Sequence, residues 1–312
     1  MHQVIASLTP ILLLVGGGAR LLRAGFYSDV FRRDLDRFVY WVALPGLIVD
    51  KLSGGSPLDP DAAVITGALV LATGGAIAIG ALLAWGLRLP RPAFGVFVQA
   101  GFRGNLAFMG LPVVILAASG AGHEAGSVET QAVLVLAPMM LLYNVTAVIV
   151  LELARQHLSW GVLPKLLKSL AANPLIISCL VGFAFGFSGV RLPSPLHETL
   201  HLLGATAAPL ALLSLGGSLV VYKLSDHLGR AFGGTLVKVA VLPVLAWLSG
   251  RWMALDTEGM LVLMVFASTP TAVASYVLTG QLDGDEGLAA SSIVLSTLLS
   301  AISLGVALSL SN

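Results

Sequence analysis

The sequence predicts an all-α membrane protein: ten transmembrane helices in two inverted five-helix repeats, with the fourth and ninth helices broken at their centres. Three observations carry this. Of 312 residues, 57% are hydrophobic and only 11% charged, where a soluble domain carries roughly 25% charged residues. Apolar runs of the roughly 20 residues that cross about 30 Å of hydrocarbon recur along the whole length, which excludes a soluble enzyme with one anchor. One offset of 164 residues also relates the halves, placing Pro10 on Pro174, Pro45 on Pro209, and Gly104-Asn105 on Ser268-Thr269.

Hydrophobic periodicity places five spans in the first half, at about 3–20, 37–53, 62–87, 94–118 and 128–154, and five in the second, at about 172–189, 197–221, 229–250, 258–280 and 286–310. The repeats are then 1–155 and 165–312. MHQVIASLTP lacks a basic n-region and a small-residue cleavage site, and reads as the start of a retained helix. A net charge of +1 leaves no nucleic-acid footprint, and Cys179 alone allows no internal disulfide.

Orientation follows from Lys and Arg, which gather on the cytoplasmic side. With the N-terminus outside, the inner loops hold Arg20, Arg23, Arg32, Arg33, Arg37, Arg88, Arg91, Arg155, Lys165, Lys168, Lys223 and Arg230, against Lys51, Arg191 and Arg251 outside. Arg103 and Lys238 fall inside spans. Both termini are thus expected to be extracytoplasmic, in an inner (plasma) membrane. Five spans per half is odd, so the second copy enters the bilayer from the opposite side, an arrangement typical of secondary transporters.

The centres of spans four and nine, GFRGN and ASTPTAVAS, stand at corresponding positions and are interrupted by glycine or proline. Such breaks free backbone groups that hydrocarbon cannot satisfy, so they must face protein or a water-filled cavity. Half-helix N-termini there present donors and partial positive charge to an anion. Arg103 adds a full charge and a planar fork suited to a carboxylate. The candidate substrate-binding residues are Arg103, Gly104, Asn105, Asn144, Ser268, Thr269, Pro270, Thr271 and Ser275.

Structural readings stand beside these. Arg103 could cap the C-terminal carbonyls of a half-helix, although an arginine at mid-membrane costs at least about 2.5–3.5 kcal/mol on insertion scales. Asn105 and Thr269 could satisfy the broken backbone, and Asn144 could join two helices. Pro45 and Pro209 read as kinks. Asp50-Lys51 and Glu152, near span ends, read as solvated or snorkelling. Gly16-Gly17-Gly18 reads as a close-packing surface.

Arg103-Gly104-Asn105 followed by Gly110-Leu111-Pro112, together with Pro45, Tyr143-Asn144, AAPLALLSLGGSL and STPTAVAS, resembles the bacterial branch of the auxin efflux carrier family along essentially the whole chain. The resemblance implies a ten-helix fold similar to bile acid/sodium symporters, with spans four and nine crossing at the substrate site. It implies a scaffold of spans one, two, six and seven (about 3–53 and 172–221), through which a homodimer forms. The other six spans (about 62–154 and 229–310) would be an elevator-like transport domain. The implied function is a secondary transporter, an efflux carrier or permease, of small organic anions. Only the short Arg155–Lys168 connection joins the halves, and the span-four break lacks the plant proline, so the implied substrates are small carboxylates such as malate or malonate rather than auxin.

An anion channel and a transporter-like receptor are the alternatives. A remote third comes from HETLH, residues 197–201, which matches a zinc-protease pattern in which His197 and His201 share a face and Glu198 is the base. Its distant acidic partner, Leu282-Asp283-Gly284, lies across the membrane in the expected topology. No enzyme activity, metal or cofactor is expected. Span centres carry no Asp or Glu, and coupling to protons, to sodium or to neither stays open.

Overall fold

The computed structural model describes residues 2–54, 59–121, 125–155, 168, 171–221 and 228–311. Lys165 and Lys223 of the charge count, and most of the Arg155–Lys168 connection, lie outside the described residues. Every described element is helical: α1 (His2–Arg23), α2 (Asp29–Phe38), α3 (Leu44–Gly54), α4 (Pro60–Gly86), α5 (Arg91–Phe102), α6 (Leu111–Ala121), α7 (Ala125–Arg155), α8 (Pro174–Ser188), α9 (Ser194–Ala205), α10 (Ala207–Val221), α11 (Leu228–Leu236), α12 (Leu242–Trp252), α13 (Thr257–Ser268), α14 (Ala274–Gln281) and α15 (Glu286–Leu310).

Three Leu-Pro pairs shape these helices in the same way. Leu44-Pro45, Leu111-Pro112 and Leu242-Pro243 each follow a five-residue π-helical turn, at Val39–Ala43, Leu106–Gly110 and Val237–Val241. Proline lacks an N–H and its ring crowds the carbonyl four residues back, so the turn before it widens to a five-residue bond. Accordingly the Leu44 N–H donates to Val39 O and the Leu242 N–H to Val237 O. Helix starts are capped as their sequences direct: Asn173, Asp256 and Asp285 side chains accept from Leu175, Gly259 and Leu288 N–H groups at 2.9, 2.8 and 2.9 Å.

Five described helices are long and apolar enough to cross a membrane: Pro60–Gly86, Gly126–Ala154, Ser194–Val221, Leu228–Trp252 and Glu286–Leu310. Leu106–Ala118, Pro174–Ser188 and Thr257–Ser268 are shorter apolar helices. Large apolar side chains such as Leu13, Leu82 and Ile302 are exposed, as a lipid solvent permits. Trp85 and Trp252, 76% and 78% exposed at the ends of α4 and α12, suit the membrane–water interface.

The chain divides into two compact units. The first comprises Met1–Ala63, Ala107–Pro138 and Pro164–Val221; the second comprises Val64–Leu106, Met139–Leu163 and Tyr222–Asn312.

In the first unit, α1 and α10 meet backbone to backbone, because a Cβ on Gly18 would overlap the Leu213 carbonyl and one on Gly216 the Val15 carbonyl. The basic stretch before span two, expected as an inner loop, is instead α2. Its Arg32 is buried, donating from Nε to Asp29 at 2.8 Å and from Nη1 to Asp36 at 2.7 Å and to Ser218 Oγ at 3.1 Å. Asp36 also accepts from Ser214 on α10. Asp50 and Lys51 depart from the solvated reading too: Lys51 Nζ pairs with Glu129 at 2.5 Å. The Asp50 side chain is 5% exposed, with His197 Nε2 and His201 Nδ1 each 3.2 Å from its oxygens. Burial without partners would cost a carboxylate several kcal/mol, about 1–3 even for a neutral polar group; His201 Nδ1 hydrogen-bonds Asp50 Oδ2, while Oδ1, near His197, has no hydrogen-bond partner among the described residues.

In the second unit, Glu152 is likewise buried rather than solvated. Gly95 lets α5 approach α7, since its Cβ would stand 3.0 Å from Leu151 Cα. Ser249 Oγ on α12 donates to Ala68 O on α4 at 3.0 Å. The α15 serines at four-residue spacing, Ser292, Ser296 and Ser300, are fully buried, and Ser296 Oγ meets the broken segment described next.

Candidate functional site at the helix crossover

α5 ends at Phe102 and α13 at Ser268, and the residues that follow are extended, with Arg103 at φ −76°, ψ 91° and Thr269 at φ −61°, ψ 149°. These two stretches, which the 164-residue offset relates, pair with each other. Gly104 bridges Thr271 in antiparallel register, with the Asn105 N–H donating to Pro270 O at 2.8 Å and the Ala272 N–H to Arg103 O at 2.9 Å. The bridge answers the question posed by the breaks, because unsatisfied peptide groups in hydrocarbon cost several kcal/mol each. Gly104 is required by the approach: a Cβ there would stand 2.5 Å from Thr269 Oγ1.

The hydroxyls of the crossover divide into two sets. Thr269 Oγ1 donates to Phe266 O at 2.8 Å and Thr271 Oγ1 to Ala100 O at 2.9 Å, so both serve carbonyls left by the ended helices. Ser296 Oγ on α15 accepts the Thr271 N–H at 2.9 Å. By contrast, Ser268 Oγ, Ser275 Oγ and Asn105 Nδ2 are buried without a hydrogen-bond partner among the described residues.

Arg103 is 6% exposed, and its Nη2 donates to Asn144 Oδ1 on α7 at 2.6 Å. Asn144 therefore orients the guanidinium. The task of capping a half-helix C-terminus, considered above for Arg103, falls in α13 to Lys238. Its Nζ donates to Ala267 O at 2.6 Å from a fully buried side chain in the π turn after α11. A lone cation in an apolar span is the same signal that marked Arg103. Gln99, four residues before Arg103, was also missed; it is fully buried, with neither amide atom bonded among the described residues.

The expected residues thus come together in one unit: Arg103, Gly104, Asn105, Pro270 and Thr271 through the backbone bridge, Thr269 against Gly104, and Asn144 through Arg103. Ser268 and Ser275 flank the α13–α14 break on either side. HETLH is placed elsewhere, in the first unit, where His197 and His201 flank Asp50. No group of three His, Cys, Asp or Glu among the described residues has a metal-holding arrangement.

Comparison with known families places the chain: the family model described as "Membrane transport protein" matches residues 3–308. The chain belongs to the auxin efflux carrier family. It is 28% identical over 284 residues to a Rhizobium meliloti (strain 1021) protein named "Putative malonate transporter", covering 85% of this chain and 82% of that one. It is 29% identical over 302 residues, 94% of both chains, to an "Uncharacterized transporter" of Methanothermobacter thermautotrophicus. As a member of this family the chain is a multi-pass membrane transporter and not an enzyme.

Proposed function

We propose that this family member is a secondary transporter for small organic carboxylates, binding them at the crossover of spans four and nine. The observation that carries the reading is Arg103, a buried cation held by Asn144 beside a break whose polar neighbours Asn105, Ser268 and Ser275 keep unbonded donors or acceptors. A carboxylate brings acceptor oxygens to which the Ser268 and Ser275 hydroxyls and the Asn105 amide can donate, and a negative charge suited to the planar fork of Arg103. The name of the Rhizobium meliloti relative points to the same class of substrate.

The wider proposal is a fold of ten spans in two inverted repeats, embedded in the inner membrane with both termini outside. Spans one, two, six and seven act as a dimeric scaffold, and the remaining spans carry the crossover past it by elevator-type alternating access. The 164-residue offset and the twelve-to-three charge bias support it.

The test is counterflow of labelled malonate into liposomes loaded with unlabelled malonate, which separates a carrier from a channel because only a carrier saturates and exchanges. Arg103→Ala is expected to abolish exchange while purifying as a monodisperse protein. Arg103→Lys retains charge without the bidentate fork and is expected to bind with intermediate affinity. Normal carboxylate affinity in a folded Arg103→Ala protein would refute the charge-selection role.

A further inference from the structure

α2 meets the rest of the first unit with its polar side. Arg32 and Asp36 face Ser218 and Ser214 of α10. Gly217 leaves room for them, since a Cβ there would stand 2.8 Å from Arg32 Cδ and 3.0 Å from the Tyr27 hydroxyl. The outward side carries the apolar residues: Val30, Phe31 and Phe38 are 59%, 54% and 40% exposed. A helix on a soluble protein turns these faces the other way, so the medium outside α2 is not water alone.

Its depth follows from length. Asp29 to Gly54 run as one continuous helix, α2 through the π turn into α3, about 39 Å long at 1.5 Å per residue. That exceeds the roughly 30 Å of hydrocarbon and approaches the roughly 40–45 Å of a bilayer with its headgroups. Arg33 and Lys51 stand about 27 Å apart along this axis, which sets Arg33 at one headgroup boundary when Lys51 is at the other. Arg37 follows one turn further in, on the same face. Phe38 and Trp41, the latter 53% exposed, come next towards the hydrocarbon.

The arginines on this face are poorly paired. Arg33, its side chain 64% exposed, has Nε 3.6 Å from Asp29, which already accepts from Arg32. Arg37 bonds to no carboxylate among the described residues. Of the acids on α2, Asp34 alone is exposed, while Arg20 and Arg23 add exposed positive charge at the end of α1.

We propose that this face of α2 and the start of span two bind an anionic phospholipid, its phosphate between Arg33 and Arg37 and an acyl chain over Phe38 and Trp41. Guanidinium forks suit a phosphate, and each basic group near an anionic lipid surface strengthens the attraction several-fold. The apolar residues beside the arginines select a lipid over free phosphate. A second copy of the chain fits this face poorly, because it would set the arginines of both copies against each other. The contact requires only the multi-pass membrane placement that the family shows and is independent of the anion site at the crossover.

Trp41 makes the contact readable. Purified protein in non-ionic detergent is titrated with phosphatidylglycerol brominated in one acyl chain, and Trp41 emission is taken as the difference between wild type and Trp41→Phe. Quenching of Trp41 is expected at concentrations about fivefold or more below those needed with brominated phosphatidylcholine. Arg33→Gln combined with Arg37→Gln is expected to raise the half-quenching concentration about tenfold or more, whereas Arg33→Lys combined with Arg37→Lys keeps it within about threefold. Both pairs replace exposed side chains and should melt with the wild type. Equal quenching by the two lipids would overturn the proposal, as would equal quenching of the wild type and the glutamine pair. Inorganic phosphate that protects Trp41 as well as unbrominated phosphatidylglycerol does would mark a free-anion site and refute the lipid. Trp41 emission that brominated lipid reaches only after copies of the chain dissociate would place a second copy on this face and overturn the proposal as well.

Discussion

Gly104→Ala tests the crossover geometry directly. The added methyl would stand 2.5 Å from Thr269 Oγ1, 3.3 Å from Leu106 Cδ2 and 3.4 Å from Lys238 Cε. The last two are flexible side-chain ends that can yield. Thr269 Oγ1 cannot move without leaving Phe266 O, which it holds at 2.8 Å inside a fully buried site. Losing that bond costs about 1 kcal/mol, and overpacking a filled site typically costs about 1–3 kcal/mol, so a total of about 2–4 kcal/mol is expected. Thr269→Ala removes the clashing oxygen and by itself costs about 1 kcal/mol for the bond. Gly104→Ala introduced into Thr269→Ala should then be nearly neutral, leaving a coupling of at least about 1 kcal/mol between the two sites. Denaturant titration of the four proteins in micelles, followed by tryptophan fluorescence, measures the cycle. Additivity within about 0.5 kcal/mol would show that the two residues do not press on each other, and the bridged crossover would fall with it.

Two further outcomes follow from surfaces away from the crossover. In intact cells, an impermeant maleimide should label a cysteine at exposed Ser194 and spare one at exposed Lys168; the reverse pattern would invert the proposed topology. Asp36, on α2 outside the expected spans, has a carboxyl pKa raised above 3.8, first by desolvation, with the Ser214 hydrogen bond and Arg32 pulling it down. A raised acid favours folding below its unfolded value and gives that stability up as pH climbs through the folded value. Asp36→Asn should therefore flatten the stability profile of the purified protein from about pH 3.8 upward; an unchanged slope there would remove Asp36 as its source.

What the sequence made legible was set by the bilayer. Apolar runs and their broken centres are visible because hydrocarbon punishes every exposed peptide group, so Gly104 and Pro270 announce themselves against Leu and Val. The pairing of those breaks could be expected, but its register could not. Gly104 faces Thr271, whereas the offset aligns it with Ser268, because antiparallel pairing is set by local backbone directions and not by the alignment of two copies. Asp50 was misread for a related reason. Position near a span end argues for solvation, yet His197 and His201, nearly 150 residues later, bring two polar partners that only tertiary structure supplies. The three π turns were readable in principle, since each sits before a Leu-Pro pair, but a hydrophobicity profile is blind to a ladder widened by one residue.

The charges at the crossover do not follow the 164-residue offset. The 164-residue offset carries Arg103 onto Ala267 and Lys238 onto Gly74, so neither cation has a charged counterpart, although the broken backbones do correspond. Ala267, the position equivalent to Arg103, is the residue whose carbonyl Lys238 caps. One broken helix therefore carries its own cation and turns it towards Asn144, while the other borrows a cation from a neighbouring helix and spends it on a backbone carbonyl. An arginine suits the first task because its planar fork matches the amide oxygen of Asn144 from a fixed geometry; a lysine suits the second because a compact point charge fits one carbonyl. Exchanging the two residue types should damage both tasks, whereas a site that needed only two positive charges would tolerate the exchange. The two broken segments that the 164-residue offset aligns build the crossover, and the two cations that the offset does not align supply its charge.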